Sequence, residues 1–325
     1  MARLYTVAIA GPLALTMLRS DAPGEVLSSH ATALYCRLDE KILLLHSAAM
    51  GLIPFGLGYV EQATISGVIE PDSEGWKSIP AGALVTNDAN AKILRTPGMT
   101  FDYARSATPL RCFPWNTATP DIEQFGRGLA VAGQILDSGC CRGVAASFFP
   151  RFNALCNSKP LAQPFADIWQ DALWQPLHNL ILYCLHGDTA KKDPAGLLRA
   201  LIGLGSGLTP LADDVLCGFF ATSHILAPLV PSRRFSRIHD ILSPAALSCL
   251  QGATTPQSAA FLASAVSGWG FGLLDELVAA VYTAGAGNAP ALRDTLTKLS
   301  GIGDTSGSAL VLGSLLAIQM ASSPA

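Results

Sequence analysis

The residues best suited to chemistry lie in one glycine-rich segment, Gly203–Asp214, which reads GLGSGLTPLADD. Apolar stretches flank it, so we predict a turn between two helices, with Thr209 as N-cap of the second helix and Pro210 at its first position. Such turns present backbone N–H groups at the positive end of the helix dipole, which suits an anion. The residues expected to bind a phosphate or carboxylate group here are Gly203, Gly205, Ser206, Gly207 and Thr209.

Two adjacent carboxylates, Asp213 and Asp214, follow in the first turn of that second helix. The helix dipole favours a carboxylate there by about 0.3–1 kcal/mol. Two negative charges would nevertheless repel a bound anion unless a cation lay between them, and Mg²⁺ takes one or two carboxylates together with phosphate oxygens. The segment therefore predicts either an anion and Mg²⁺ site, with both aspartates as metal ligands or catalytic groups, or a capped turn between helices.

Helix geometry separates the predicted roles of these two aspartates. Neighbours on a helix point about 100° apart, since a turn has ~3.6 residues. We expect one aspartate to face the ligand and the other to bond to a neighbouring group. We also expect the segment to face a cleft.

A second segment, Gly301–Gly307, repeats the pattern of glycines and hydroxyls between two apolar stretches. Thr305, Ser306 and Gly307 are the binding candidates in it. The two helix starts either converge on one ligand or are simply two well-made turns. Thr254 and Thr255 precede a further helix, where capping is the simpler interpretation. Neither glycine segment is a Walker A loop, since no lysine follows the last glycine, nor a Rossmann fingerprint, since a helix and not a strand precedes it.

His46 is the candidate catalytic residue of the first third of the chain. It ends a predicted strand just before a segment rich in glycine and proline. A histidine in that position either lines a cleft or is a buried histidine with its hydrogen bonds satisfied. Both interpretations stay open at this point.

Composition excludes several classes of protein. The 325 residues are 50% hydrophobic and 14% charged, with a net charge of −3, which argues against disorder and against a surface for nucleic acid or anionic lipid. No run approaches the ~20 apolar residues of a membrane span. We therefore expect a cytoplasmic protein, and the small charged fraction favours an oligomer or a complex with other subunits.

The elements that must position these residues form an α+β chain. Short strands at regular spacing in the first third, including a hairpin around Asp39–Lys41 and a strand over residues 63–69, predict an antiparallel barrel or sandwich. Helical periodicity begins near Pro120, and proline or glycine punctuates several of the predicted helices, which include Arg233–Leu250, Pro256–Ser267 and Ser306–Met320. We predict a β-rich domain over residues 1–118 and an α-helical domain over residues 119–325.

The Gly203–Asp214 segment resembles the signature of a bacterial family of unknown function that includes AllH, the third subunit of oxamate carbamoyltransferase. Gly301–Gly307 and Leu43–Phe55 are similar to two further blocks of that family. The chain departs from the pattern at Asp304, where a histidine is expected.

The resemblance implies a role in allantoin and purine catabolism. Oxalurate and phosphate are converted there to oxamate and carbamoyl phosphate, and the implied partners are other carbamoyltransferase subunits and these small anions. Two alternatives remain: a kinase or ligase that uses a nucleotide or phosphate on the same loop, and a subunit without catalysis whose glycine-rich turns only pack helices.

Overall fold

The chain folds into two compact units, residues 1–111 and residues 112–325. The structure is a computed structural model. It describes residues 3–30, 33–60, 76, 79–109, 113, 115, 120–139, 143–156, 168–187, 193–230 and 232–323. The predicted strand at residues 63–69 lies outside this part of the chain.

The first unit is a closed eight-stranded barrel with the strand order β1-β5-β4-β3-β2-β6-β7-β8. The strands are β1 (Arg3–Ala10), β2 (Gly24–Ser29), β3 (Ala33–Leu38), β4 (Lys41–Ser47), β5 (Gly56–Val60), β6 (Leu84–Asp88), β7 (Ile93–Thr96) and β8 (Met99–Asp102). The prediction of a β-rich unit followed by helices is confirmed. Six strand pairs are antiparallel, including the predicted β3–β4 hairpin.

The barrel is mixed, since two of its strand pairs are parallel and not antiparallel. β4 and β5 are parallel, as are β1 and β8. Between β4 and β5 the chain forms a 3₁₀ turn, Ala48–Met50, and returns to the same end of the sheet. The β1–β8 pair closes the barrel, which leaves no open sheet edge there.

Alternating burial along the strands builds the barrel core. In β3, Leu34, Cys36 and Leu38 are buried, whereas Arg37 is exposed. Four aromatic rings pack together in this core: Tyr5, Tyr59, Trp76 and Phe101. The interior of the barrel is therefore filled by side chains.

The second unit is helical. Its helices are α2 (Ile122–Asp137), α3 (Val144–Cys156), α4 (Ile168–His186), α5 (Pro194–Arg199), α6 (Leu211–Leu226), α7 (Arg233–Ser236), α8 (Ser243–Cys249), α9 (Pro256–Val266), α10 (Gly272–Ala284), α11 (Ala289–Ser300) and α12 (Ser306–Ser322), while α1 (Pro12–Met17) belongs to the first unit. None of the helices in the described part of the chain has the length and apolar character needed to span a bilayer.

Two parts of the helical pattern were not predicted. Helix α3 has Pro150 in its interior, and the sequence reasoning assigned no helix there. The helix expected from Arg233 to Leu250 is divided by a π-helical segment, Arg237–Leu242.

Candidate functional site

Helices α6 and α12 are the central pair of the second unit, and their backbones touch directly. A Cβ atom on Gly313 would lie 1.9 Å from the carbonyl oxygen of Val215, and one on Gly218 would lie 2.1 Å from that of Leu310. Both helices are buried on nearly all sides. This contact fixes the positions from which the two glycine-rich helix starts reach one another.

The loop before α6 depends on three glycines with positive φ: Gly203 (83°), Gly205 (127°) and Gly207 (95°). A Cβ atom on Gly203 would lie 2.1 Å from the carbonyl oxygen of Ala253, and one on Gly205 would lie 2.4 Å from the backbone nitrogen of Leu211. Both positions therefore require glycine for space as well as for φ. Ser206 and Gly207, between these anchor points and the helix, are exposed.

The loop offers backbone donors. In the described part of the chain, the N–H groups of residues 205–209 have no hydrogen-bond partner. The N–H of Ala212 donates to the carbonyl oxygen of Leu204 at 3.0 Å, which folds the loop back over the first turn of α6. Free N–H groups on an exposed, glycine-rich turn at a helix start are the elements of an anion site.

The predicted cap of α6 is wrong by one residue. The helix begins at Leu211, and Pro210 occupies the N-cap position without a side-chain hydrogen bond. Thr209 lies one residue before this cap. Its hydroxyl oxygen is instead 2.9 Å from the hydroxyl oxygen of Ser306, at the first residue of α12.

That hydroxyl pair brings the two glycine-rich starts together, while their binding of one ligand stays a prediction. Ser306 is half-buried, and Thr305 before it is the exposed N-cap of α12. Gly307 is buried. A Cβ atom there would lie 1.7 Å from the carbonyl oxygen of Leu299, so the position has room only for glycine. Gly307 therefore serves close packing, whereas Ser306 presents a polar group to the first loop.

Asp213 holds the loop to a third helix start, that of α9. Its Oδ1 accepts the N–H of Gly203 at 2.7 Å. Its Oδ2 accepts the hydroxyl of Ser258 at 2.6 Å and that of Thr254. Thr255 caps α9 and donates its own hydroxyl to the carbonyl oxygen of Leu208. Three helix starts thus meet around one loop.

The sequence reasoning missed Ser258 and gave Thr254 only a capping role. The available signal was the cluster of hydroxyls around Pro256, which resembles an ordinary helix start. Nothing in that local pattern indicates a carboxylate 45 residues earlier as the partner of Ser258.

Asp214 faces a different set of groups. The hydroxyls of Ser306 and Thr209 lie beside its carboxyl group, and its Oδ2 has no hydrogen-bond partner among the described residues. Burial raises the pKa of Asp214 to about 7; the charge of Asp213 acts in the same direction, and the two hydroxyls act against it. Asp213 and Asp214 therefore have different neighbours, and the prediction that one of them faces a ligand stays a prediction. Near neutral pH the Asp214 carboxyl also opposes a bound anion less than an ordinary aspartate does.

The donor set bears on the predicted Mg²⁺. No three His, Cys, Asp or Glu side chains within the described ranges are grouped to hold a metal. Both oxygens of Asp213 already accept hydrogen atoms from the protein. Mg²⁺ binding by Asp213 and Asp214 stays a prediction.

His46 belongs to the barrel unit, in β4. It is fully buried, its Nδ1 lies 2.9 Å from the carbonyl oxygen of Ser47, and burial lowers its pKa to about 4. A Cβ atom on Gly56 would lie 2.5 Å from its Nε2. The ring is thus neutral at ordinary pH and packed among barrel residues, and its catalytic role stays a prediction.

One cavity in the second unit, of about 310 Å³, lies between α4 and α5 and not at the loop. Its lining residues are Gln175, Pro176, Asn179, Asp193, Gly196, Leu197 and Ala200. The cleft expected beside Gly203–Asp214 stays a prediction.

The raised pKa of Asp214 predicts a pH dependence of stability. The folded state holds this proton more tightly than the unfolded chain, whose carboxyl has a pKa of 3.8. The protonated Asp214 carboxyl therefore contributes its full stabilisation below pH ~4, and this contribution is lost as the pH rises through about 7. We expect D214N, compared with the wild type by thermal melts, to gain in relative stability from pH 4 to pH 8. A difference that stays constant over this range would contradict the assignment.

Comparison with known proteins gives one match. The family model described as oxamate carbamoyltransferase subunit AllH matches residues 201–318, a range that contains the loop, both aspartates and the start of α12. No curated protein and no solved structure matches the chain. The resemblance expected from the glycine-rich segments is thereby confirmed, and residues 201–318 of the helical unit are similar to the AllH subunit family of oxamate carbamoyltransferase.

Proposed function

We propose that this chain is a carbamoyltransferase subunit that binds carbamoyl phosphate, or the phosphate that attacks a carbamoyl donor, at the Gly203–Asp214 loop. The observation that carries the proposal is the meeting of three helix starts around a loop with free N–H groups. The positive ends of several helix dipoles close together repel one another, and a bound anion relieves that repulsion. The match to a family of carbamoyltransferase subunits supports the same ligand class.

The reaction proposed is that of the matching family: oxalurate and phosphate give oxamate and carbamoyl phosphate. A phosphate oxygen forms a bond to the carbamoyl carbon, the bond from that carbon to the bridging nitrogen breaks, and the phosphate proton passes to this nitrogen. The loop N–H groups would hold the phosphate and stabilise negative charge as the new bond forms. Other subunits are the proposed partners in this reaction.

A charge reversal in the loop tests the anion site. Ser206 is exposed, so Ser206→Glu adds a carboxylate beside the free N–H groups with little effect on folding. We expect the wild type to bind phosphate and carbamoyl phosphate, and to melt at higher temperature in their presence. The variant should show at least a tenfold weaker affinity by calorimetry.

The matched control is Ser236→Glu, at an exposed serine of α7, which should bind as the wild type does. Equal affinity of the Ser206→Glu variant and the wild type would contradict the site. Failure of the wild type to bind either anion would favour the alternative of a subunit whose glycine-rich turns only pack helices, for which the bonds of Asp213 already provide a reason.

A further inference from the structure

The feature left unexplained is the unpartnered oxygen of Asp214. Asp214 is 5% exposed, and its Oδ2 is buried without a hydrogen-bond partner among the described residues. A buried acceptor without a partner is destabilising, because it has lost its hydration and has gained no hydrogen bond in exchange. The hydroxyls beside it, on Thr209 of the loop and Ser306 of α12, are only half-buried.

We propose that Asp214, which lies beside the hydroxyls of Thr209 and Ser306, recognises the NH₂ group of the carbamoyl moiety by accepting its hydrogen bond. This inference rests on the proposed function and adds to it the part of the ligand that the loop does not bind. The loop supplies donors for an anion, whereas Asp214 supplies an acceptor. The matching ligand therefore carries an anionic group and an amide NH₂ on adjacent atoms, as carbamoyl phosphate does.

The hydroxyl pair gives Asp214 a way to act on the ligand. The oxygens of Thr209 and Ser306 lie 2.9 Å apart, beside the Asp214 carboxyl. Two hydroxyls carry two protons, so one proton joins the two hydroxyls and the other is left for the carboxyl. The Oδ2 atom of Asp214 has no partner among the described residues, and an N–H group of the ligand can donate to it.

Asp213 does not compete for this role. Its two oxygens accept three hydrogen bonds from Gly203, Thr254 and Ser258, so it has no acceptor position of comparable kind. Asp214 is accordingly a specificity-determining residue of the site.

The test compares two ligands that differ only at the NH₂ position. Acetyl phosphate keeps the phosphate and the carbonyl of carbamoyl phosphate but has a methyl group in place of NH₂. We expect the wild-type full chain to bind freshly dissolved carbamoyl phosphate about 10- to 100-fold more tightly than acetyl phosphate, measured by calorimetry.

The Asp214→Asn variant should lose this preference while it keeps its affinity for inorganic phosphate. Its amide places an NH₂ group at the Oδ2 position, because its carbonyl oxygen accepts the one proton that the hydroxyl pair has left to donate. Asp294→Asn, at an exposed aspartate of α11, is the control with the same change of charge and should keep the preference.

The outcomes separate the two proposals. Equal binding of both acyl phosphates by the wild type would overturn the role of Asp214 and leave the anion site intact. Binding of neither ligand, nor of inorganic phosphate, would overturn the proposed function and this inference with it. The comparison of ligands on the wild type decides the question even where Asp214→Asn does not fold.

Discussion

Replacing Asp213 by alanine is expected to lower the free energy of unfolding by about 3–5 kcal/mol. The side chain is fully buried, and its loss leaves the N–H of Gly203 and two hydroxyls of the α9 start without their acceptor. It also frees the loop from α9. Chemical denaturation of the full chain, followed by circular dichroism, measures the change.

The control for this substitution is Asp294→Ala, at an exposed position of α11, which should change stability by less than about 0.5 kcal/mol. Asp213→Asn should fall between the two, because hydroxyl groups can reverse their direction but the N–H of Gly203 cannot. A loss below about 1 kcal/mol for Asp213→Ala would contradict the role of Asp213 as the link between loop and α9.

Gly313→Ala is expected to destabilise the protein by about 2–4 kcal/mol, a large effect for one methyl group. The new Cβ atom would lie 1.9 Å from the carbonyl oxygen of Val215 and 2.7 Å from the backbone nitrogen of Phe219. Both contacts are with backbone, so α6 and α12 must move apart. The midpoint of urea unfolding measures the loss.

A glycine of α2 provides the opposite result. At Gly126 the nearest atom to a new Cβ, in the side chain of Ser322, is 3.8 Å away, so Gly126→Ala should stabilise the protein by up to about 1 kcal/mol through helix propensity. Equal changes in stability for Gly313→Ala and Gly126→Ala would contradict the direct backbone contact between α6 and α12.

Local sequence patterns predicted most of the helices of the second unit because their ends are marked chemically. Proline at the first turn of α9 and the glycine-rich segment before α12 marked the ends of these two helices to within two residues. The same rules failed at α3, where Pro150 lies inside the helix. They also failed at the π-helical segment Arg237–Leu242, since periodicity does not distinguish four from five residues between bonded groups.

The barrel shows the limit of strand patterns. Two apolar runs on either side of a short polar turn predicted β3 and the hairpin turn at Asp39, whose φ is 51°. The direction of β5 relative to β4 depends on where the intervening chain crosses the sheet. Packing between distant strands determines this direction, and the residues between β4 and β5 carry no local signal for it.

The sequence predicted where the candidate site lies but not the role of each of its residues. Repeated glycines and hydroxyls before apolar helices predicted that the loop and the start of α12 meet, and Thr209 and Ser306 do so. Which aspartate faces which partner depends on the positions of α9 and α12 around α6. These positions follow from tertiary packing, in particular from the glycine contacts of Gly218 and Gly313.

The bond between Thr209 and Ser306 joins residues that are 97 positions apart in the chain. Contacts of such long separation form late, because the chain between them must first lose its freedom. The loop, which Asp213 holds to α9, can therefore form before α12 brings the second half of the site. A ligand that contacts both halves of the site binds only after the rate-limiting step of folding. It would therefore slow unfolding and leave the rate of folding unchanged.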